Sequence, residues 1–174
     1  VHCTVGVDNR LGGRLAGECL IAAGRKSLAF LGEADVPELR DRFMGLCDAA
    51  RDAGLPEPQQ LHVHLASDTM AEEIAGHIER IRAGIDGIAC GSDVIAMYAV
   101  RALADHAISV PGDISVTGFD DLPLAEQTVP RLTTISQNVA EGAKEIFRLL
   151  FERIAGNDTP SVEMAPQLVR RDTA

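Results

Sequence analysis

Tryptophan is absent, and one tyrosine and five phenylalanines are the whole aromatic content of 174 residues. The core must therefore be aliphatic. Cysteine is sparse. Cys3, Cys19, Cys47 and Cys90 are far apart and form no CxxC or Cys/His cluster, which excludes a disulfide framework and a zinc ribbon. They read as buried, reduced thiols of a cytoplasmic protein. No apolar run approaches the roughly 20 residues of a membrane span, so no membrane partner is expected. Positive charge is in deficit: 16 Lys and Arg against 26 Asp and Glu give a net charge of −10. This segment is not built to grip phosphate backbones. Catalytic motifs are missing as well. There is no G-x-S-x-G elbow, P-loop or H-E-x-x-H, and no nucleophile paired with a base. Binding is expected rather than catalysis, with no cofactor and no metal.

What is present is an alternation. Apolar strand-like runs occur at 1–7, 27–31, 60–65, 86–91, 114–119 and 132–136, with a last extended segment at 162–169. Between them lie stretches with apolar stripes at helical spacing: 9–23, from 37 to Gly54, 69–84, 92–106 and 139–156. Thr69 with Glu72 reads as a capping box, and Met70, Ile74, Ile78 and Ile81 as one continuous stripe. Short, almost wholly apolar strands alternating with helices indicate an α/β fold, a doubly wound parallel sheet covered on both faces.

The stretch Val110 to Asp121 is the most informative. A Pro-Gly turn opens it, Ile114–Phe119 is rich in β-branched residues, and Asp120-Asp121 stands at the strand exit. In open α/β sheets ligands bind beyond the carboxyl ends of the strands. On its own the Asp-Asp pair reads first as turn chemistry or as a cap of the next helix. Gly12-Gly13 inside a helix start costs about 1 kcal/mol per residue against Ala, which leaves a close neighbour or a loose first turn. Arg40 and Arg42 sit near a helix start, where cations oppose the dipole. Ser92-Asp93 suits a helix cap. His62 and His64 alternate on one strand and share a face; an exposed pair or a two-ligand metal site both fit that spacing.

In this order and spacing the motifs resemble the effector-binding core of LacI/GalR-family transcriptional regulators. The carriers are Asp8-Asn9 with Gly12-Gly13; Arg40-Asp41-Arg42-Phe43-Met44-Gly45; Cys90-Gly91-Ser92-Asp93 with Ala96; Val110 through Asp121; Pro130-Arg131-Leu132-Thr133-Thr134-Ile135 with Gln137; and Leu168-Val169-Arg170-Arg171. The resemblance implies a type I periplasmic-binding-protein-like fold, here with its second subdomain complete and its first mostly outside this sequence. Residues 1–23 and 135–160 would belong to the first subdomain, and 24–134 with 161–174 to the carboxyl-terminal one. It also implies a small-molecule effector, a sugar or related polyol or nucleoside, held by Arg42, Asp120 and Ser92, with Asn9 and Leu11 on the facing loop. A homodimer through Met97, Val100 and Leu122 would carry operator DNA on a helix-turn-helix outside this chain, controlled by hinge allostery.

Asp93 and Asp121 are expected to be structural. Three departures from the family stand out: Arg25 in place of a common His, read as a surface change; Leu11 where some members carry a carboxylate; and the small residues Ala66-Ser67 where some carry an aromatic platform. The rival of a different class is a solute-binding protein of a transport system with the same fold. A phosphoacceptor receiver domain would need a lysine on a later strand exit, and the only lysine after Asp121 is Lys144, within a helical pattern.

Overall fold

The structure is a computed structural model that describes residues 3–65 and 68–174. The elements run β1 (Val5–Val7), α1 (Asn9–Ala22), β2 (Leu28–Leu31), α2 (Pro37–Asp52), β3 (Gln59–Leu61), α3 (Met70–Ala75), α4 (Ile78–Arg82), β4 (Gly87–Cys90), α5 (Asp93–Asp105) and β5 (Ser115–Thr117). A 3-10 turn at Pro123–Glu126, β6 (Thr134–Ser136), α6 (Val139–Ile154), β7 (Val162–Met164) and β8 (Gln167–Val169) complete them. Of the expected 1–7 run only Val5–Val7 is strand, as β1; Val1 and His2 lie outside the described residues, as does the Ala66-Ser67 pair.

β3, β2, β4 and β5 form, in that order, a four-stranded parallel sheet. Period-two alternation sends Leu28 and Phe30 of β2 to one face and Ala29 and Leu31 to the other. The first face packs with Ala16 and Leu20 of α1 and Leu39, Leu46 and Ala50 of α2. The second packs with Ile74, Ile78 and Ile81 of α3 and α4 and Ile95, Ala99 and Leu103 of α5. All of these are buried, so both faces are dry, as a parallel sheet requires.

Four local expectations are corrected. The third strand stops at Leu61 rather than Leu65. It is an edge strand, and beyond Leu61 side chains take the backbone groups: His64 N donates to Glu73 Oε2 (2.9 Å), and the His77 ring contacts the His62 carbonyl (2.8 Å). The 69–84 helix is two helices, broken at Gly76-His77, although the buried stripe continues across the break. Thr69 makes no capping bond; its hydroxyl donates to Glu73 Oε1 instead. The 162–169 segment divides at Ala165-Pro166, because proline has no N–H to continue a ladder. Its first half, β7, pairs parallel with β1, and its second half, β8, pairs antiparallel with β6.

Arg25 is not a surface change. Its guanidinium donates to Ser115 Oγ (2.9 Å) and to the carbonyls of Asp113 (3.1 Å) and Pro111, tying the Pro-Gly turn to the start of β2. α6 is the opposite case. Leu149 is buried, but Ile146, Phe147, Leu150, Phe151 and Ile154 stand half or more exposed. No described residue covers that face.

Candidate functional site

The site begins with a close helix crossing. A Cβ at Gly13 would fall on the Arg42 carbonyl oxygen, and one at Gly45 on the Arg10 carbonyl. Gly13 of the α1 glycine pair therefore has a close neighbour: the backbone of α2. Contact at this distance sets the rotation of α2, and its buried stripe runs Leu39, Arg42, Gly45, Leu46, Ala49. Arg42 thus lies on the core face, whereas Arg40 is exposed. Gly12 clears the other side: a Cβ there would meet the Phe119 ring at 2.5 Å.

Buried arginine must be satisfied. Arg42 Nε donates to Asn9 Oδ1 (2.8 Å) and Nη1 to the Gly91 carbonyl (2.6 Å), while the guanidinium lies 3.5 Å from the centroid of the Phe119 ring. Asp120 Oδ1 is 3.9 Å from Nη1. Burial pushes the Arg42 pKa down, and the Asp120 charge opposes that shift.

Asp120 is placed by its backbone. Its N–H donates to the Ile135 carbonyl (2.8 Å), it bridges Ser136 in parallel register, and its φ is +117°. Gln137 Nε2 donates to Oδ1 at 2.6 Å, and Oδ2 has no hydrogen-bond partner among the described residues. Burial raises the carboxyl pKa, and Arg42 and Gln137 pull it back. A carboxylate with a free oxygen beside a planar cation can accept from and donate to neighbouring hydroxyls.

The other predicted residues divide. Asn9 is given to Arg42, and its Nδ2 contacts the Val7 carbonyl, so it orients the guanidinium. Ser92 is buried and caps α5, accepting from Ile95 N at 3.3 Å. Leu11 is half-buried in the first turn of α1, its N–H on Asp8 Oδ1. Asp93 is fully buried; it accepts from Thr134 Oγ1 (2.5 Å) and Leu122 N (2.7 Å), and burial raises its pKa to about 6. Asp121 pairs with Arg171 at 2.7 Å. These two acids hold loops, as read from the sequence.

Of the expected dimer residues, Met97 and Val100 are half-buried against the α5-side core, and Leu122 is half-buried with its N–H on Asp93. The exposed apolar side chains near them are Tyr98, Leu124 and Val129, the last 95% exposed. Val100 also lines a groove of about 380 Å³ with Ile108, Val110, Val129 and Pro130. Phe119 and Gln137 were missed as site residues. The signal for Gln137 was present, one residue past the strand that pairs with Asp120, but only the pairing reveals it.

Residues 18–174 match the family model described as a periplasmic binding protein-like domain. The chain belongs to the periplasmic-binding-protein-like family. Among curated relatives, the HTH-type transcriptional regulator RegA from Clostridium saccharobutylicum is 30% identical over 175 residues, covering 98% of this chain and 53% of that protein. Among solved structures, the Escherichia coli transcriptional repressor ascG superposes with a TM-score of 0.86 at 30% identity, covering 98% of this chain and 63% of that one. A periplasmic binding protein/LacI transcriptional regulator from Alkaliphilus metalliredigens QYMF, complexed with D-xylulofuranose, gives 0.86 at 28% identity, covering 98% and 65%. The similarity of this periplasmic-binding-protein-like chain to the effector-binding core of LacI/GalR-type regulators is thus shown by sequence and by fold. The chain spans about half the length of the curated relatives it matches. Among the described residues, no helix is long and apolar enough to cross a membrane.

Proposed function

We propose that this chain is the effector-binding and dimerisation part of a LacI/GalR-type transcriptional regulator of the cytoplasm, and that Arg42 and Asp120 grasp a small polyhydroxylated molecule. The observation that carries the reading is their meeting within 3.9 Å at the carboxyl end of the sheet, where α/β proteins bind ligands. Vicinal hydroxyls donate to Asp120 Oδ2 and accept from the guanidinium, each charge-assisted bond contributing about 1.5–3 kcal/mol. Asn9, Phe119 and Gln137 hold the pair in place, and Ser92 and Leu11 are further ligand contacts in this reading on the strength of the family resemblance. Because the A. metalliredigens relative is complexed with D-xylulofuranose, monosaccharides are the first class to test.

In this reading the chain has two parts. Residues 24–134 and 161–174 form one subdomain; 1–23 and 135–160 belong to the other, whose remainder packs on the exposed apolar face of α6. Ligand between the two subdomains sets their relative orientation, but only so far as it binds the two settings unequally. In a homodimer formed along α5 and the 122–129 link, that setting is passed to operator-binding heads outside this chain. The role is regulatory rather than enzymatic. A transport solute-binding protein shares the fold, but the relatives matched here are regulators.

The test is gel-shift titration of the full-length protein on its operator with a monosaccharide panel. Arg42→Ala and Asp120→Ala are expected to abolish the effector response and leave operator binding intact. An unchanged response in both variants removes the site.

A further inference from the structure

We propose that Glu33, His62 and His64, at the exits of β2 and β3, form a binding site for a divalent transition metal, with zinc as the reference ion. The three share no residue with the Arg42–Asp120 pair. One donor atom from each lies within 4.8 Å of the other two. The two ring nitrogens are already close: His62 Nε2 and His64 Nε2 are 3.1 Å apart, with the rings at 85° to each other. Ligand atoms about 2.0–2.1 Å from a tetrahedral zinc lie about 3.3 Å from one another, so little movement of the imidazoles is required.

The surroundings prepare the pair. Glu73 Oε2 lies 3.1 Å from His64 Nδ1 and also accepts from His64 N. An ionised carboxylate only accepts, so His64 carries its proton on Nδ1 and turns the Nε2 lone pair outward. A carboxylate behind a metal-binding imidazole does the same work in zinc proteins. With the His64 Nε2 as acceptor, His62 donates to it, and metal binding needs only a tautomer change at His62. The His62 carbonyl is held by the His77 ring, and Glu33 Oε2 by Leu65 N at 3.1 Å. Two imidazoles and one carboxylate make a three-ligand set with the fourth position open to water or to an oxygen of a bound molecule. Both histidines are exposed and Glu33 half-buried, so the ion has a path from solvent.

The experiment is calorimetric titration of the chelator-treated full chain with zinc chloride. One saturable site per chain is expected. His62→Ala and His64→Ala are expected to abolish it, Glu33→Gln to weaken it, and Glu73→Gln to weaken it about 10- to 100-fold by releasing the orientation of His64. His106→Ala is expected to bind as the parent does. Thermal melts of the apo variants matching the parent establish that folding is intact. Cobalt(II) absorption supplies the second readout, with bands of a nitrogen and oxygen ligand set expected. The absence of saturable binding, binding that survives the His62→Ala/His64→Ala double variant, or a thiolate charge-transfer band overturns the proposal.

Discussion

Asp120→Asn separates ligand binding from fold stability, because it changes one atom. Oδ1 is the oxygen that Gln137 reaches at 2.6 Å, and an asparagine keeps that acceptor. Its amide nitrogen then replaces Oδ2, setting a donor where a ligand hydroxyl must also donate. Asparagine tolerates positive φ better than most residues, so the +117° backbone at this position is retained. The lost charge-assisted bond is worth about 1.5–3 kcal/mol, which is about a 10- to 150-fold loss of affinity. The fold should hardly respond. Burial already disfavours the charged carboxyl, and the Arg42 contact given up is a long one at 3.9 Å, so stability changes by less than about 1 kcal/mol. Calorimetric titration of the full-length protein with the best monosaccharide from a pentose and hexose panel measures the first quantity, and urea unfolding the second. Unchanged affinity would show that Asp120 does not face the ligand. A stability loss matching the affinity loss would make it a structural residue.

Gly13→Ala should force α1 and α2 apart at the Arg42 carbonyl, costing about 1–3 kcal/mol in urea unfolding and weakening ligand binding with it. Gly6→Ala, with nothing within 4 Å of the added methyl, should stay within about 0.5 kcal/mol. Asp93 titrates near 6 in the folded state against about 3.9 unfolded, so the folded state binds the extra proton between those values. Stability should then fall by about 3 kcal/mol as pH rises from about 4 to about 6. Asp120, also raised by burial, adds to the slope in the same direction. Asp93→Asn should flatten much of it in a pH series of unfolding midpoints, while leaving Leu122 N or the Thr134 hydroxyl without its acceptor, at about 1–3 kcal/mol. Arg25→Met should free the Pro111–Asp113 turn and cost about 1–2 kcal/mol in the same unfolding assay.

The sheet was legible because its periodicity is strong. Leu28–Leu31, Gly87–Cys90 and Ser115–Thr117 are short apolar runs between helical stripes, and that pattern has few solutions. Failures cluster where one local pattern serves two partners. Val162–Val169 reads as one extended segment, yet its halves join different strands in opposite directions. Gly76 and His77 sit inside an unbroken apolar stripe, so the helix break between them left no mark on the pattern. Arg25 has no partner near it in sequence and looks like a surface residue until the Pro-Gly turn folds back over it.

The candidate site divides along the same line. An acid at a strand exit is a local feature, and so is a glycine pair inside a helix; alternation and spacing announce both. Which atoms then face each other is a long-range matter. Gly91 O, Asn9 and the Phe119 ring converge on Arg42 from three separate stretches of chain, and Gln137 reaches Asp120 only because Ser136 pairs beside it. Sequence alone determined the alternating architecture, the aliphatic core and the position of the acid at the rim, since each follows from the properties of neighbouring residues. Tertiary structure alone decided that the Arg42 guanidinium is buried and shared, because that depends on the distance at which two helices can pass where glycine lets their backbones touch, and that Gln137 takes one oxygen of Asp120, because that depends on Ser136 pairing beside it.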